Sequence, residues 1–137
     1  MKKLQIISNN MCYGPAPRSN TEIEQHLTIN EKGQVWFSRY RYGNREERYP
    51  LISKECLRIA KEDAEVILKL ADEVTKIEDD LFVTDVGYWE LTITDDGNRI
   101  AKKTGSLIRQ DSEIIQKLCD RIRSALNRTG LFLLDGE

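Results

Sequence analysis

Leu27-Thr28-Ile29-Asn30-Glu31-Lys32-Gly33-Gln34-Val35-Trp36-Phe37 returns in outline 64 residues later as Leu91-Thr92-Ile93-Thr94-Asp95-Asp96-Gly97-Asn98-Arg99-Ile100-Ala101. The Leu-Thr-Ile triplet and the glycine keep the same spacing in both copies. Apolar and polar residues alternate on either side of each glycine, which is the period of a half-buried strand. Each copy reads as a strand, a tight turn and a returning strand, followed by a helical pattern. The expectation is a duplicated hairpin-plus-helix plan, with pseudo-repeats over about 22–77 and 81–127.

In the first copy, Glu31-Lys32-Gly33 reads as a three-residue loop with Gly33 in the left-handed position. That register sets Asn30 opposite Gln34, Ile29 opposite Val35 and Leu27 opposite Phe37, with the last two pairs on the core side. Trp36, Ser38, Tyr40 and Tyr42 then share the outer face with His26 and Thr28. The same alternation would send Arg39 and Arg41 inward, so a bulge or the end of the core is expected there. In the second copy, Asp96-Gly97 is a strong two-residue hairpin signal and predicts Ile93 opposite Ile100. Trp89, Leu91 and Ile93 face inward; Tyr88, Glu90, Thr92 and Thr94 face outward. The returning strand, 99–107, carries Lys102 and Lys103, as edge strands do.

Working outward, residues 3–8 suit a first strand, and residues 9–20 form a loop punctuated by Gly14, Pro15 and Pro17. Residues 43–50 form a turn or loop. A helix is expected over 61–76, with a short strand Leu57-Arg58-Ile59 before it; the alternative starts the helix near Ser53. The apolar stripe Ala64, Ile67, Leu68, Ala71 and Val74 marks the buried face. Leu81–Val83 reads as a short strand, with Asp85-Val86-Gly87 as a turn or bulge. A last helix, capped by Asp111 or Ser112, runs to about Asn127 along Ile115, Leu118, Cys119, Ile122, Ala125 and Leu126. Leu131-Phe132-Leu133-Leu134 is too apolar to dangle and should dock on the body. The fold class is therefore α+β: an antiparallel sheet with both helices on one face.

At 137 residues, 39% hydrophobic and 32% charged, the chain reads as a single soluble domain, 1–137. Its net charge of -2 argues against a mainly electrostatic nucleic-acid or membrane binder. Nothing approaches the roughly 18 consecutive apolar residues of a membrane helix. Gln5, Ser8, Asn9 and Asn10 interrupt any signal-like run after Met1-Lys2-Lys3-Leu4, so no export segment is expected. Cys12, Cys56 and Cys119, irregularly spaced, and the one histidine, His26, make neither a disulfide framework nor a zinc site. No metal, no cofactor and a cytoplasmic location are expected.

Catalytic signatures are missing. His26 has Glu24 on the same face, which would polarise its imidazole, but no pocket or reacting partner is legible. Cys12 lies in a loop with no second histidine to activate it. Asp95-Asp96-Gly97-Asn98 lacks the spaced ligands of a calcium loop, so turn chemistry accounts for it.

Cys12-Tyr13-Gly14-Pro15-Ala16-Pro17, followed by the Leu27-Thr28-Ile29 hairpin with Gly33, a helix, and Thr84-Asp85 before the second hairpin, resembles small uncharacterised bacterial proteins. Over about residues 10–126 it is similar to a domain of unknown function whose loop reads Cys-x-Gly-x-Cys-Pro. Ala16 stands where that pattern has its second cysteine. The resemblance implies the duplicated α+β plan and no activity.

The functional expectation is a non-enzymatic module that binds a protein partner, or a second copy of itself, through the helix-free sheet face. The binding residues are Trp36, Tyr40 and Tyr88, with His26, Arg39 and Arg41 nearby. Arg39, Arg41, Arg45 and Arg48 interleaved with Tyr40 and Tyr42 support an alternative, single-stranded nucleic-acid binding. An enzyme using the 9–20 loop with Cys12 and His26 is the third possibility.

Overall fold

A computed structural model describes residues 1–11, 15–44, 49–77, 86–108 and 112–136. The element order is β1 (Lys2–Asn9), β2 (Glu22–Asn30), β3 (Gln34–Arg41), β4 (Leu51–Arg58), α1 (Lys61–Thr75), β5 (Tyr88–Asp95), β6 (Asn98–Ser106) and α2 (Glu113–Leu126). The six strands form one sheet in the order β4-β3-β2-β1-β5-β6, and every neighbouring pair is antiparallel. The protein is α+β.

Alternation drives the sheet. Leu4, Ile6, Leu27, Ile29, Val35, Phe37, Trp89, Leu91 and Ile93 are all buried and belong to one hydrophobic cluster. Ala64, Ile67, Leu68, Ala71 and Val74 of α1 join it, as do Ile115, Leu118, Cys119 and Ile122 of α2, and the two helices touch one another. These are the two stripes expected from the 3.6-residue period. Both apolar stripes are thereby removed from water, at roughly 25 cal/mol for each Å² of apolar surface.

The first hairpin has the expected register, with Leu27 opposite Phe37 and Ile29 opposite Val35. Gly33 lies at φ +87°, and a Cβ there would collide with the Ile59 carbonyl; the Ile59 N–H in turn donates to Gly33 O at 2.8 Å. The second hairpin turns through Asp96 and Gly97 at φ 51° and 81°, the two positive values its turn type demands. Its register departs from expectation one step later. A bulge between Ile93 and Thr94 sets Ile93 opposite Ala101 rather than Ile100. Ile100 becomes the extra residue and is 54% exposed, while Ala101 packs against the core. A bulge near a sheet edge lets a short side chain fill the inward position while the bulky one stays outside.

Strand β1 was legible, but its place was not. It lies in the middle of the sheet, between β2 and β5. Strand β4 also extends well beyond the expected Leu57–Ile59. As a result α1 follows a three-strand meander and α2 follows a two-strand hairpin, so the two units differ by a strand. β6 is an edge strand, as its lysines suggested. Ser112 caps α2, its hydroxyl accepting from Ile115 N at 3.4 Å, and Asn127 ends it in the left-handed region. Asp111 and the expected strand Leu81–Val83 lie outside the described residues.

The C-terminal segment docks as its composition predicts. Leu131, Leu133 and Leu134 are buried. Two polar side chains on the inner face of the sheet hold it: Ser8 Oγ donates to Leu133 O at 2.6 Å, and Gln25 bonds both Gly130 O and Phe132 N. This explains why Ser8 and Gln25 are buried where the alternation calls for apolar residues.

Candidate functional site

The outer face, opposite the cluster, is a grid whose rows follow from strand register. One row reads Arg58–Gln34–Asn30–Lys3–Thr94–Arg99 across β4, β3, β2, β1, β5 and β6. The next reads Cys56–Trp36–Thr28–Gln5–Thr92–Lys102, then Lys54–Ser38–His26–Ile7–Glu90–Thr104. The last is Leu51–Tyr40–Glu24–Asn9–Tyr88–Ser106. Neighbouring strands lie about 4.8 Å apart, and successive same-face residues about 6.8 Å apart.

Trp36 is 37% exposed and stands between two shallow depressions. One, of about 600 Å³, is bounded by Lys3, Thr28, Gln34, Trp36 and Asp96. The other, of about 410 Å³, lies along β4 between Trp36, Cys56 and Arg58. Tyr40 and Tyr88 are two rows away. The Tyr40 ring tilts at 47° against the His26 ring, with centroids 4.7 Å apart. Tyr88 is 47% exposed. Trp36 and Tyr88 therefore mark two ends of the face rather than one contiguous patch.

A polar network lies between them. His26 Nε2 is 2.9 Å from Glu24 Oε2, and Asn9 Nδ2 donates to Glu24 Oε1 at 3.1 Å. Burial works to raise the Glu24 pKa, but the hydrogen bonds from His26 and Asn9 outweigh it and hold the carboxyl below its ordinary value. Burial, followed by the Glu24 carboxylate, Tyr49 and Glu90, pushes the Tyr88 phenol up, so it stays protonated and able to donate. Ser38 is the register partner of His26, yet no hydrogen bond joins them, so no nucleophile–base pair is assembled. Among the described residues, no three His, Cys, Asp or Glu side chains gather so as to hold a metal ion.

The expected residues therefore divide. Trp36, Tyr40, Tyr88 and His26 occupy the outer face. Arg39 does not: opposite Gln25 and Ser53, it lies on the inner face, where its guanidinium binds Glu22 Oε1 at 2.6 and 3.0 Å. Bulges between Glu22 and Glu24 and between Arg39 and Tyr40 accompany that placement. Arg41 donates to Ser19 O at 3.2 Å. Cys12, Arg45 and Arg48 lie outside the described residues.

The charge on this face could not be read from the composition. Lys3, Lys54, Arg58, Arg99 and Lys102 project there against Glu24 and Glu90, so a chain of net charge -2 has a cationic outer face. Lys102 pairs with Glu90 at 2.7 Å, whereas Lys3, Lys54, Arg58 and Arg99 are exposed and unpaired among the described residues. Only strand order assembles these cations, because they come from three strands, β1, β4 and β6.

No known protein family matches this chain, and none of the curated proteins does.

Proposed function

We propose that the protein is a non-enzymatic binding module that docks a protein partner on the outer face of its sheet. The observation that carries this reading is the exposure of Trp36 and Tyr88, at 37% and 47%, on a face whose counterpart is a closed apolar core. Tryptophan and tyrosine dominate the energetics of protein interfaces, and here one of each stands in water on the same face. Tyr40, braced by His26, adds a third anchor. Arg39 and Arg41, engaged by Glu22 and Ser19, lend no support to single-stranded nucleic-acid binding through the 39–49 stretch.

The cytoplasm is the compartment this reading assigns. Cys56 and Cys119 are free thiols, and burial pushes the Cys119 thiol up to about 12, which keeps it unreactive. No helix among the described residues is long and apolar enough to cross a membrane.

Alanine at Trp36 and Tyr88 together tests the reading. Association with a protein partner, or self-association followed by light scattering, should be lost while the melting temperature stays within a few degrees of the parent. Unchanged association in the doubly substituted protein would overturn it.

A further inference from the structure

We propose that the free edge of β4 is a strand-docking site for an extended acidic segment of a partner protein. This rests on the outer face being a protein-binding surface and names the partner's chemistry.

Strand β4 pairs with β3 along one side, and among the described residues no strand lies along its other side. It offers eight extended residues, Leu51–Arg58, and exposes Leu51 and Ile52 at one end. Such an edge presents a row of unpaired backbone N–H and C=O groups that an incoming strand can complete. Both edges carry a bulge, β4 at Ile52 and β6 at Ile100, but the one in β4 lies outside Lys54–Arg58, whereas β6 also carries Lys102 and Lys103 on its two faces.

The two faces of β4 are electrically unlike. Lys54, Cys56 and Arg58 are successive outer-face residues, and both cations are unpaired among the described residues. On the inner face, Glu55 is neutralised by a two-pronged contact from Arg128, whose guanidinium also lies 4.9 Å over the Phe37 ring. A strand laid along β4 therefore meets net positive charge only on the outer side.

A second copy of β4 is a poor occupant. Antiparallel pairing matches outer-face residues with outer-face residues, and the strand's one carboxylate, Glu55, is on the inner face and engaged. Lys54 and Arg58 would be left with no opposite charge. A nucleic-acid strand is also disfavoured, because stacking needs exposed rings in series, and Tyr40, the next ring along β3, leans on His26.

The side-chain period of a strand then specifies the sequence. Carboxylates at i and i+4 meet Lys54 and Arg58 in either strand direction. The residue at i+2 sits on Cys56 and enters the groove beside Trp36, which suits an apolar side chain.

A threonine heptapeptide carrying Glu, Val and Glu at its second, fourth and sixth positions tests this, titrated into the 15N-labelled protein. Binding should slow hydrogen exchange of alternate β4 amides at least tenfold. Lys54→Glu/Arg58→Glu should weaken binding at least tenfold and bind instead the peptide with lysines in place of its glutamates. Lys54→Gln/Arg58→Gln should bind the acidic peptide more weakly than the parent does, and the basic peptide more weakly than Lys54→Glu/Arg58→Glu does. Absence of binding, equal binding of acidic and basic peptides, or binding without protection of β4 would overturn the proposal. So would displacement of the peptide by an oligothymidylate at lower concentration. A partner lost on Trp36→Ala but retained on Lys54→Glu/Arg58→Glu would overturn it while leaving the outer-face reading intact.

Discussion

Leu27 and Leu91, 64 residues apart in the chain, stand in register on either side of the same residue, Ile6. Ile29 and Ile93 bracket Leu4 in the same way. The two Leu-Thr-Ile triplets are thus joined through β1, and its inward side chains sit at the middle of the apolar layer. Ile6 is 1% exposed, so Ile6→Ala should cost about 2 to 5 kcal/mol, the range for emptying a packed site. Gln5→Ala, on the exposed side of the same strand, should stay within about 0.5 kcal/mol. Urea denaturation of both variants checks the contrast.

The Glu24–His26 contact predicts acid sensitivity. The folded Glu24 carboxyl titrates below its ordinary 4.5, so the unfolded chain takes up the proton first. The stability this contributes is fully present above about pH 4.5 and is lost as pH falls through the folded value. Glu24→Gln removes the titration. The melting temperatures of parent and variant should therefore converge as pH is lowered from 6 to 3, followed by circular dichroism. A constant difference across that range would contradict the linkage.

Arg123 closes the C-terminal segment. Its guanidinium donates to both Asp135 oxygens at 2.5 and 2.8 Å and to Leu131 O at 3.0 Å, with Asp135 only 8% exposed. Arg123→Ala leaves that carboxylate buried without its main partner, at a cost of roughly 3 kcal/mol. Amides of residues 131–136 should lose protection from hydrogen exchange before the sheet does. Arg123→Ala/Asp135→Ala should recover part of the loss.

Gly105 is sterically required. A Cβ at that position would run into the ring of Trp89, which is 1% exposed and has no room to move aside. Gly105→Ala should destabilise the fold by about 1 to 3 kcal/mol, the usual penalty for overpacking. Gly105→Ala with Trp89→Phe should recover stability relative to Gly105→Ala alone, as read by denaturant midpoints.

Local periodicity carried much of the fold. The Leu27–Phe37 pairing and the stripes of α1 and α2 follow from patterns confined to a few turns or one hairpin, where spacing and burial agree. The position of β1 did not follow, because its alternation says which side is buried but not which strands flank it. That gap hid the outer-face charge, since Lys3, Lys54, Arg58 and Arg99 come together only once β1 separates the two hairpins. Glu24 was legible beside His26 through their two-residue spacing, but its second partner, Asn9, was not. Alternation sends Arg39 inward, where the structure has it; counting it with the binding residues required a bulge before it, and the bulge between β3 and β4 comes only after it, between Arg39 and Tyr40.

The bulge in β6 yields the sharpest test of register. Uninterrupted pairing from the Asp96-Gly97 turn would put Ile100 on the core side opposite Ile93, with Ala101 outside. The structure reverses them: Ala101 opposes Ile93 and packs on the core, and Ile100 is in water. A carboxylate placed against the core has no partner and loses its hydration, whereas one at an exposed edge position keeps it. Ala101→Asp should therefore destabilise the protein by about 2 kcal/mol or more, while Ile100→Asp should change stability by less than about 0.5 kcal/mol. Equilibrium urea unfolding of the two single variants reads the difference directly. The opposite order would mean that the β5–β6 ladder runs without its extra residue, with Lys102 and Lys103 exchanging faces.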